Sequence, residues 1–189
     1  MAMLPFVTKL LMSGQLKFEK GKLSIFDQRV LIVPLELILI LIRESLKDKK
    51  LAHYVYESSK ESVIDFCKSI QKKLNLSNKD TLDVLLGLTE MNGYGEITPI
   101  KIDYDKKLAI FHLKGLPSKA FFGKMRVNEN TAVDIYWCGL VAGGMSFVFS
   151  DDINCLETRC VITGKETCEV VAAKKELLKK MYPKAVKYF

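Results

Sequence analysis

The sequence predicts an α+β domain with a largely antiparallel sheet. Short alternating apolar and polar runs around tight-turn residues mark hairpins, and apolar residues at helical spacing mark helices between them. The order is strands, helices, hairpin, helix, hairpin, helix, without the strand–helix alternation of a parallel sheet. At 189 residues the chain suits one domain, 1–189, with a helical part over 1–93 and a cysteine-bearing hairpin part over 130–173.

Lys17 to Phe26 and Gln28 to Val33 read as two strands around a turn near Asp27. Pro34 fits the first turn of a helix, where its missing N–H is not needed. The helix over Leu35 to Leu46 is apolar nearly all round, interrupted by Glu36, Arg43 and Glu44. Such a helix needs cover on more than one side, so it is expected at or near the two-fold axis of a homodimer. Leu51 to Leu74 forms a one-sided amphipathic helix with a bend expected near Ser58-Ser59. Ser77 and Asp80 resemble a capping box for a helix over Leu82 to Met91 that ends at Gly93. Tyr94 to Asp103 and Lys107 to Leu113 form a hairpin turning at Asp105-Lys106. Leu116 to Arg126 is a loop. Thr131 to Phe149 is a long apolar helix containing Gly139, Gly143 and Gly144, glycines that let it approach a strand closely or leave room for a ligand. Ile153 to Ile162 and Glu166 to Val171 are strands around Thr163 to Lys165, and a helix starts at Lys174.

Hydrophobic residues make up 49% and charged residues 27%, which excludes collagen-like, coiled-coil and disordered chains. The longest apolar stretch, Val30 to Ile42, has 13 residues and carries Pro34 and Glu36, where a membrane span needs about 20. No signal peptide is read in Met1 to Leu16, and a cytoplasmic protein is expected. The net charge of +7 is concentrated in Lys174 to Phe189, which holds six Lys and one Glu. Leu177, Leu178 and Met181 at helical spacing make that segment a solvated terminal helix, so nucleic acid is not the expected partner.

Five cysteines without a signal peptide do not suggest a disulfide scaffold. Cys155, Cys160 and Cys168 fall within 14 residues, which points to metal or redox chemistry. A three-residue loop at Thr163 to Lys165 pairs 162 with 166, 161 with 167, and Cys160 with Cys168. Two thiolates facing across a hairpin can share one Zn²⁺. Glu157, three residues before Cys160, faces the other side of a regular strand and joins them only through a bulge at Thr158-Arg159. A fourth ligand comes from the long helix, where Asp134 and Cys138 lie one turn apart. The alternatives are core thiols or a redox pair.

The segment Asp134-Ile-Tyr-Trp-Cys-Gly139, with Gly143-Gly144, then Glu157-x-x-Cys160, a glycine turn and Cys168, resembles the 4-vinyl reductase domain. Gly21-Lys22-Leu23, Arg29, Pro34 and Gly93-Tyr94-Gly95 extend the likeness, which is to stand-alone archaeal members. The resemblance implies a fold like the ligand-binding domains of nitric-oxide-signalling and Golgi-transport proteins. It implies an aromatic-sensing or acyl-binding chamber and a structural zinc. It places Glu157, Cys160 and Cys168 on three zinc ligands and Asp134 on the fourth, where the family has a cysteine. Positions matching Cys138 and Cys155 line the chamber in the aromatic-sensing relatives.

Gly139-x3-Gly143-Gly144 is not a dinucleotide fingerprint, because no strand precedes it in a βαβ unit. A nucleophilic pair of a cysteine with His112 lacks a third orienting group. The expected function is therefore a small-molecule-binding module, sensor or carrier, for an apolar or aromatic ligand, with a zinc-stapled hairpin beside the chamber. The chamber is expected between Phe111, Phe122, Trp137, Cys138, Val141 and Cys155, with Leu116 to Arg126 as a lid. A factor in tetrapyrrole vinyl reduction and a thiol switch are the alternatives.

Overall fold

A computed structural model of the chain describes residues 3–117, 133–163, 165 and 167–183. Its elements are α1 (Met3–Met12), β1 (Leu16–Glu19), β2 (Lys22–Ile25), β3 (Gln28–Val30), α2 (Leu35–Ser45), α3 (Lys49–Leu74), α4 (Asn78–Met91), β4 (Glu96–Asp103), β5 (Leu108–Lys114), α5 (Ile135–Phe149), β6 (Asn154–Arg159), a 3₁₀ turn (Val161–Thr163), β7 (Cys168–Ala173) and α6 (Lys175–Met181). Both sheets are antiparallel, with orders β1-β2-β3 and β4-β5-β7-β6, so the α+β class holds.

The first sheet has three strands where the sequence suggested two. The run from Lys17 to Phe26 folds back on itself at Lys20-Gly21, whose φ values of 21° and 78° make a two-residue turn between the paired Glu19 and Lys22. Phe26 and Asp27 make the next turn with φ 50° and 61°, the left-handed pair whose twist matches a hairpin. Phe26 is bulky for that conformation and is held by its surroundings. Its ring is buried against Phe66, and its carbonyl accepts from Ser69 Oγ at 2.7 Å.

Helix α3 runs unbroken through Ser58-Ser59 over 26 residues. Both hydroxyls bond back to carbonyls one turn earlier, on Tyr54 and Val55, and so stay within the helix. Asp48 caps its start by accepting from the N–H groups of Lys50 and Leu51. Helix α4 begins at Asn78, a full turn before the expected Leu82, because Ser77 itself is the N-cap. The hairpin β4–β5 forms as read, with a bulge between Pro99 and Lys101 on the edge strand, where proline's lost N–H is tolerated.

The glycines of α5 face a helix, not a strand. A Cβ on Gly139 would stand 2.5 Å from the Tyr56 carbonyl oxygen, and one on Gly143 would collide with the Lys60 carbonyl oxygen. The backbones of α3 and α5 therefore lie in direct contact, which a side chain at either glycine would prevent. One face of the four-stranded sheet, with Ala109, Phe111, Leu113, Val170 and Ala172, joins these helices in the main core. The opposite face carries Leu108, Leu156, Val171 and Ala173 against Leu178 of α6. A separate cluster, with Phe6, Leu10, Ile25, Phe26, Ile70 and Leu88, lies between α1, the first sheet, α3 and α4.

Helix α2 is two-faced: Leu39 and Ile42 are buried, while Leu37, Ile40 and Leu41 are exposed. Leu31, Ile32 and Val33 before it are exposed too. No helix among the described residues is long and apolar enough to cross a membrane. The expected lid, with Phe121 and Phe122, and Thr131 at the expected start of α5, lie outside the described residues.

Candidate functional site

Toward the open end of β6 and β7 the ladder shifts by one residue, at the bulge that bringing Glu157 round requires. Leu156 pairs with Val171, Glu157 with Val170, and then Arg159 with Glu169, leaving Thr158 as a bulge. The Thr158 hydroxyl donates to the Glu169 carboxylate at 2.8 Å and to its carbonyl at 3.2 Å. Cys160 and Cys168 are not the ladder pair that a three-residue loop predicts, because the pairing ends at Arg159 and Glu169. The chain leaves the strand after Arg159 and winds into the 3₁₀ turn, because the Val161 N–H donates to Cys168 Sγ at 3.3 Å instead of to a strand carbonyl. The two sulfurs still meet, 3.9 Å apart. Gly164, the expected turn glycine, lies outside the described residues.

The bulge turns Glu157 inward, toward the N-terminus of α5. Its Oε2 accepts from the N–H of Val133 at 2.8 Å and of Asp134 at 3.2 Å. Asp134, the N-cap residue, makes no capping hydrogen bond with its own side chain. One ligand atom from each of Asp134, Glu157, Cys160 and Cys168 lies within 4.8 Å of the others, and all four are buried. Of the two helix candidates for a fourth ligand, Asp134 is the one in this group.

Four acidic groups in one buried spot cannot all ionise. Burial, followed by the charge of Asp134, pushes the Glu157 carboxyl well above its usual range. Cys168 donates to Cys160, which lowers the Cys160 thiol to about 7 and raises the Cys168 thiol far above the ordinary thiol value. Glu157 Oε1 is buried with no hydrogen-bond partner among the described residues. Two sulfurs, two carboxylates and an orphaned buried oxygen fit a divalent cation of the zinc type, which takes S and O donors in a tetrahedron.

One turn along α5, Cys138 is buried beside this group. Its thiol is raised by a hydrogen bond to Cys155 and by burial. The Tyr56 hydroxyl, reaching over from α3, accepts from the Cys155 N–H at 2.8 Å. His112 lies across from Glu169, its Nε2 3.4 Å from the carboxylate. Strand alternation puts that pair on the sheet face opposite Cys168.

A cavity of about 90 Å³ lies between α3, α4, α5 and the sheet. A single water needs roughly 10–15 Å³, so there is room for a small organic molecule. Its walls are apolar: Val63 and Phe66 of α3, Leu82, Leu85 and Leu86 of α4, Ile97 and Phe111 of the sheet, Leu140, Val141 and Met145 of α5. Among the described residues, Thr89, Asn92 and Tyr94 are its polar members and none of the lining side chains is charged. The Thr89 hydroxyl is spent on the Leu86 carbonyl, whereas Asn92 is exposed and marks where the cavity reaches the surface. The Tyr94 hydroxyl meets that of Tyr136 at 3.1 Å.

Of the chamber residues read from the sequence, Phe111 and Val141 line this cavity. Trp137, Cys138 and Cys155 are buried but outside its lining, and Phe122 lies outside the described residues. Trp137 stands edge-on to Tyr94, with ring centroids 6.4 Å apart, so it lies one residue behind the wall. The α4 wall was missed. Its signal was the run Leu82, Leu85, Leu86 and Thr89, a one-sided stripe at helical spacing.

No protein-family model matches the chain, and no curated protein matches it. Solved structures do. The phenol-responsive sensory domain of the transcription activator PoxR, with phenol, is similar over 100% of this chain and 98% of its own, at 15% identity and a TM-score of 0.73. A trafficking protein particle complex subunit 3 from Naegleria fowleri, covalently bound to palmitic acid, is similar over 73% of this chain and 93% of its own, at 16% identity and a TM-score of 0.52. A vinyl-4-reductase family protein from Methanocaldococcus jannaschii covers 76% of this chain and 96% of its own, at 16% identity and a TM-score of 0.43. The chain thus shares its fold with a sensory domain and a trafficking subunit.

Proposed function

We propose that this chain is a small-molecule-binding domain whose ligand occupies the cavity between α3, α4, α5 and the sheet. The apolar lining, with Thr89, Asn92 and Tyr94 as its polar members among the described residues, carries the reading. A ligand buried there is uncharged and largely apolar, with one hydrogen-bonding group held near Tyr94. A carboxylate would lose its hydration without gaining a cation. The likeness to structures holding phenol and palmitic acid supports a ligand of aromatic or fatty character. Mass spectrometry of small molecules extracted from the purified protein tests the reading. A recovered neutral apolar compound supports it. Failure of any neutral alkylphenol to bind the extracted protein overturns it.

Zinc belongs to the same reading. Asp134, Glu157, Cys160 and Cys168 would hold it, and when bound it supplies a cross-link between the start of α5 and the end of the β6–β7 hairpin. Without a cation the 3.9 Å sulfur pair favours a second reading, a thiol switch. Metal analysis of protein purified under reducing conditions separates the two.

The partner of α2 is a second copy of this chain. Glu36, Ile40 and Arg43 lie on one side of the helix, with exposed Leu37 and Leu41 beside them. Two such helices crossing antiparallel about Ile40 would set each Glu36 against the other copy's Arg43 and bury the leucines between them. Ile40→Glu should turn a dimer into a monomer in sedimentation. A monomeric unaltered protein at micromolar concentration refutes the pairing.

A further inference from the structure

The donor set at the hairpin is mixed, and the mixture carries a consequence for the metal. Two donors are cysteine sulfurs, which as thiolates favour soft and borderline ions, and two are carboxylates, which favour hard ones. The four are not equivalent in how they are held. Cys160 and Cys168 are fixed to each other and to the 3₁₀ turn through the Val161 N–H. Glu157 is anchored by two backbone N–H groups of the α5 entry. Asp134 is different. An aspartate at an N-cap ordinarily turns its carboxylate back onto the helix N–H groups. Here the Asp134 side chain makes no such bond, and Glu157 accepts from the N–H of Asp134 instead. The Asp134 carboxylate contributes an oxygen to the donor group, a hard donor beside that of Glu157.

We propose that Asp134 makes this centre exchangeable: it completes the tetrahedron around zinc but releases it more readily than a thiolate at the same position. The inference rests on the zinc reading above and goes beyond it, because it assigns one residue the task of setting how long the ion stays. The site then trades zinc with the surrounding pool of free and weakly bound ion, and the hairpin responds to that pool.

The test uses the full chain loaded with Zn²⁺ or with Co²⁺. Zinc transfer to a chromogenic chelator is timed in the unaltered protein, Asp134→Cys and Asp134→Asn, and the cobalt form of each is scanned for sulfur-to-metal absorption. Asp134→Cys should slow the transfer by roughly tenfold or more and add sulfur-to-cobalt intensity. Asp134→Asn should speed the transfer with the circular dichroism of the apo protein unchanged. Equal transfer rates and equal cobalt spectra in all three proteins overturn the assignment of Asp134 while leaving a metal centre in place. No cobalt or zinc uptake by the unaltered protein overturns the centre itself. If Asp134→Cys does not fold, Asp134→Asn decides: a transfer rate equal to that of the unaltered protein rejects the proposal.

Discussion

The backbone carbonyl of Lys60 occupies the space that a Cβ on Gly143 would need. Gly143→Ala must push α5 away from α3 along a contact between two backbones, with no flexible side chain to yield. The expected loss is about 1–3 kcal/mol, at the upper end of that range. Gly144→Ala is the contrast, since its Cβ would approach the end of the Leu85 side chain at 3.0 Å, and that side chain can turn aside. Urea unfolding of both variants should show the larger loss at Gly143.

If the proposed zinc is bound, its removal should loosen the hairpin and the start of α5 together, because the four candidate donors come from both. Chelation is expected to lower the unfolding midpoint of the unaltered protein. Cys160→Ser should start from the lower midpoint, carry no zinc by elemental analysis, and show no further response to the chelator. A Cys160→Ser protein that keeps one zinc per chain contradicts this.

Ligand binding should stabilise the fold by mass action. With ligand at a hundredfold excess over Kd the gain is about 2.7 kcal/mol, or roughly 5–10 °C in Tm for a chain of this size. A neutral 4-alkylphenol is expected to give such a shift, and the matching 4-alkylbenzoate none. Val141→Phe puts a ring into the cavity and should abolish the phenol shift. An equal shift in Val141→Phe moves the site elsewhere.

Acid should weaken the junction between α5 and β6. Asp151 accepts from Lys107 at 2.5 Å and pairs with Lys174 at 2.7 Å, which holds its carboxyl well below the ordinary 3.8. A carboxyl lowered by folding contributes its stability in full above the unfolded value, and that contribution fades as pH falls toward the folded one. Asp151→Asn should therefore unfold at a lower temperature than the unaltered protein at neutral pH. The difference should persist down to about pH 4 and shrink below it. A difference that grows on acidification would reverse the sign.

Much of the fold was legible because local chemistry and tertiary packing agree in it. Ser77 before Asp80 marked the N-cap of α4, and the β4–β5 hairpin turns where its polar residues stand. The first sheet was half legible: Lys20-Gly21 has a turn residue, but the polar positions around it are too few to break the alternation. The cysteine hairpin was legible in composition and in its bulge at Thr158, which bringing Glu157 round requires, and not in the 3₁₀ turn that follows Arg159. That turn depends on where the Val161 N–H finds a partner, and strand periodicity does not carry it. The glycines of α5 announced a close approach without saying to what, since the answer lies about 80 residues earlier, on α3. The cavity wall of α4 escaped for the same reason: an apolar stripe does not tell whether the space in front of it is filled.

The bond from the Cys155 N–H to the Tyr56 hydroxyl spans 99 residues of chain. An anchor of that span forms only when a long loop closes, at an entropic cost that local contacts do not carry. We expect the four candidate donors, on the far end of that strand and its neighbours, to come together once α3 and the strand have met. A zinc ion held there would act as a latch on the finished molecule, slowing its unfolding while leaving the rate of its formation unchanged.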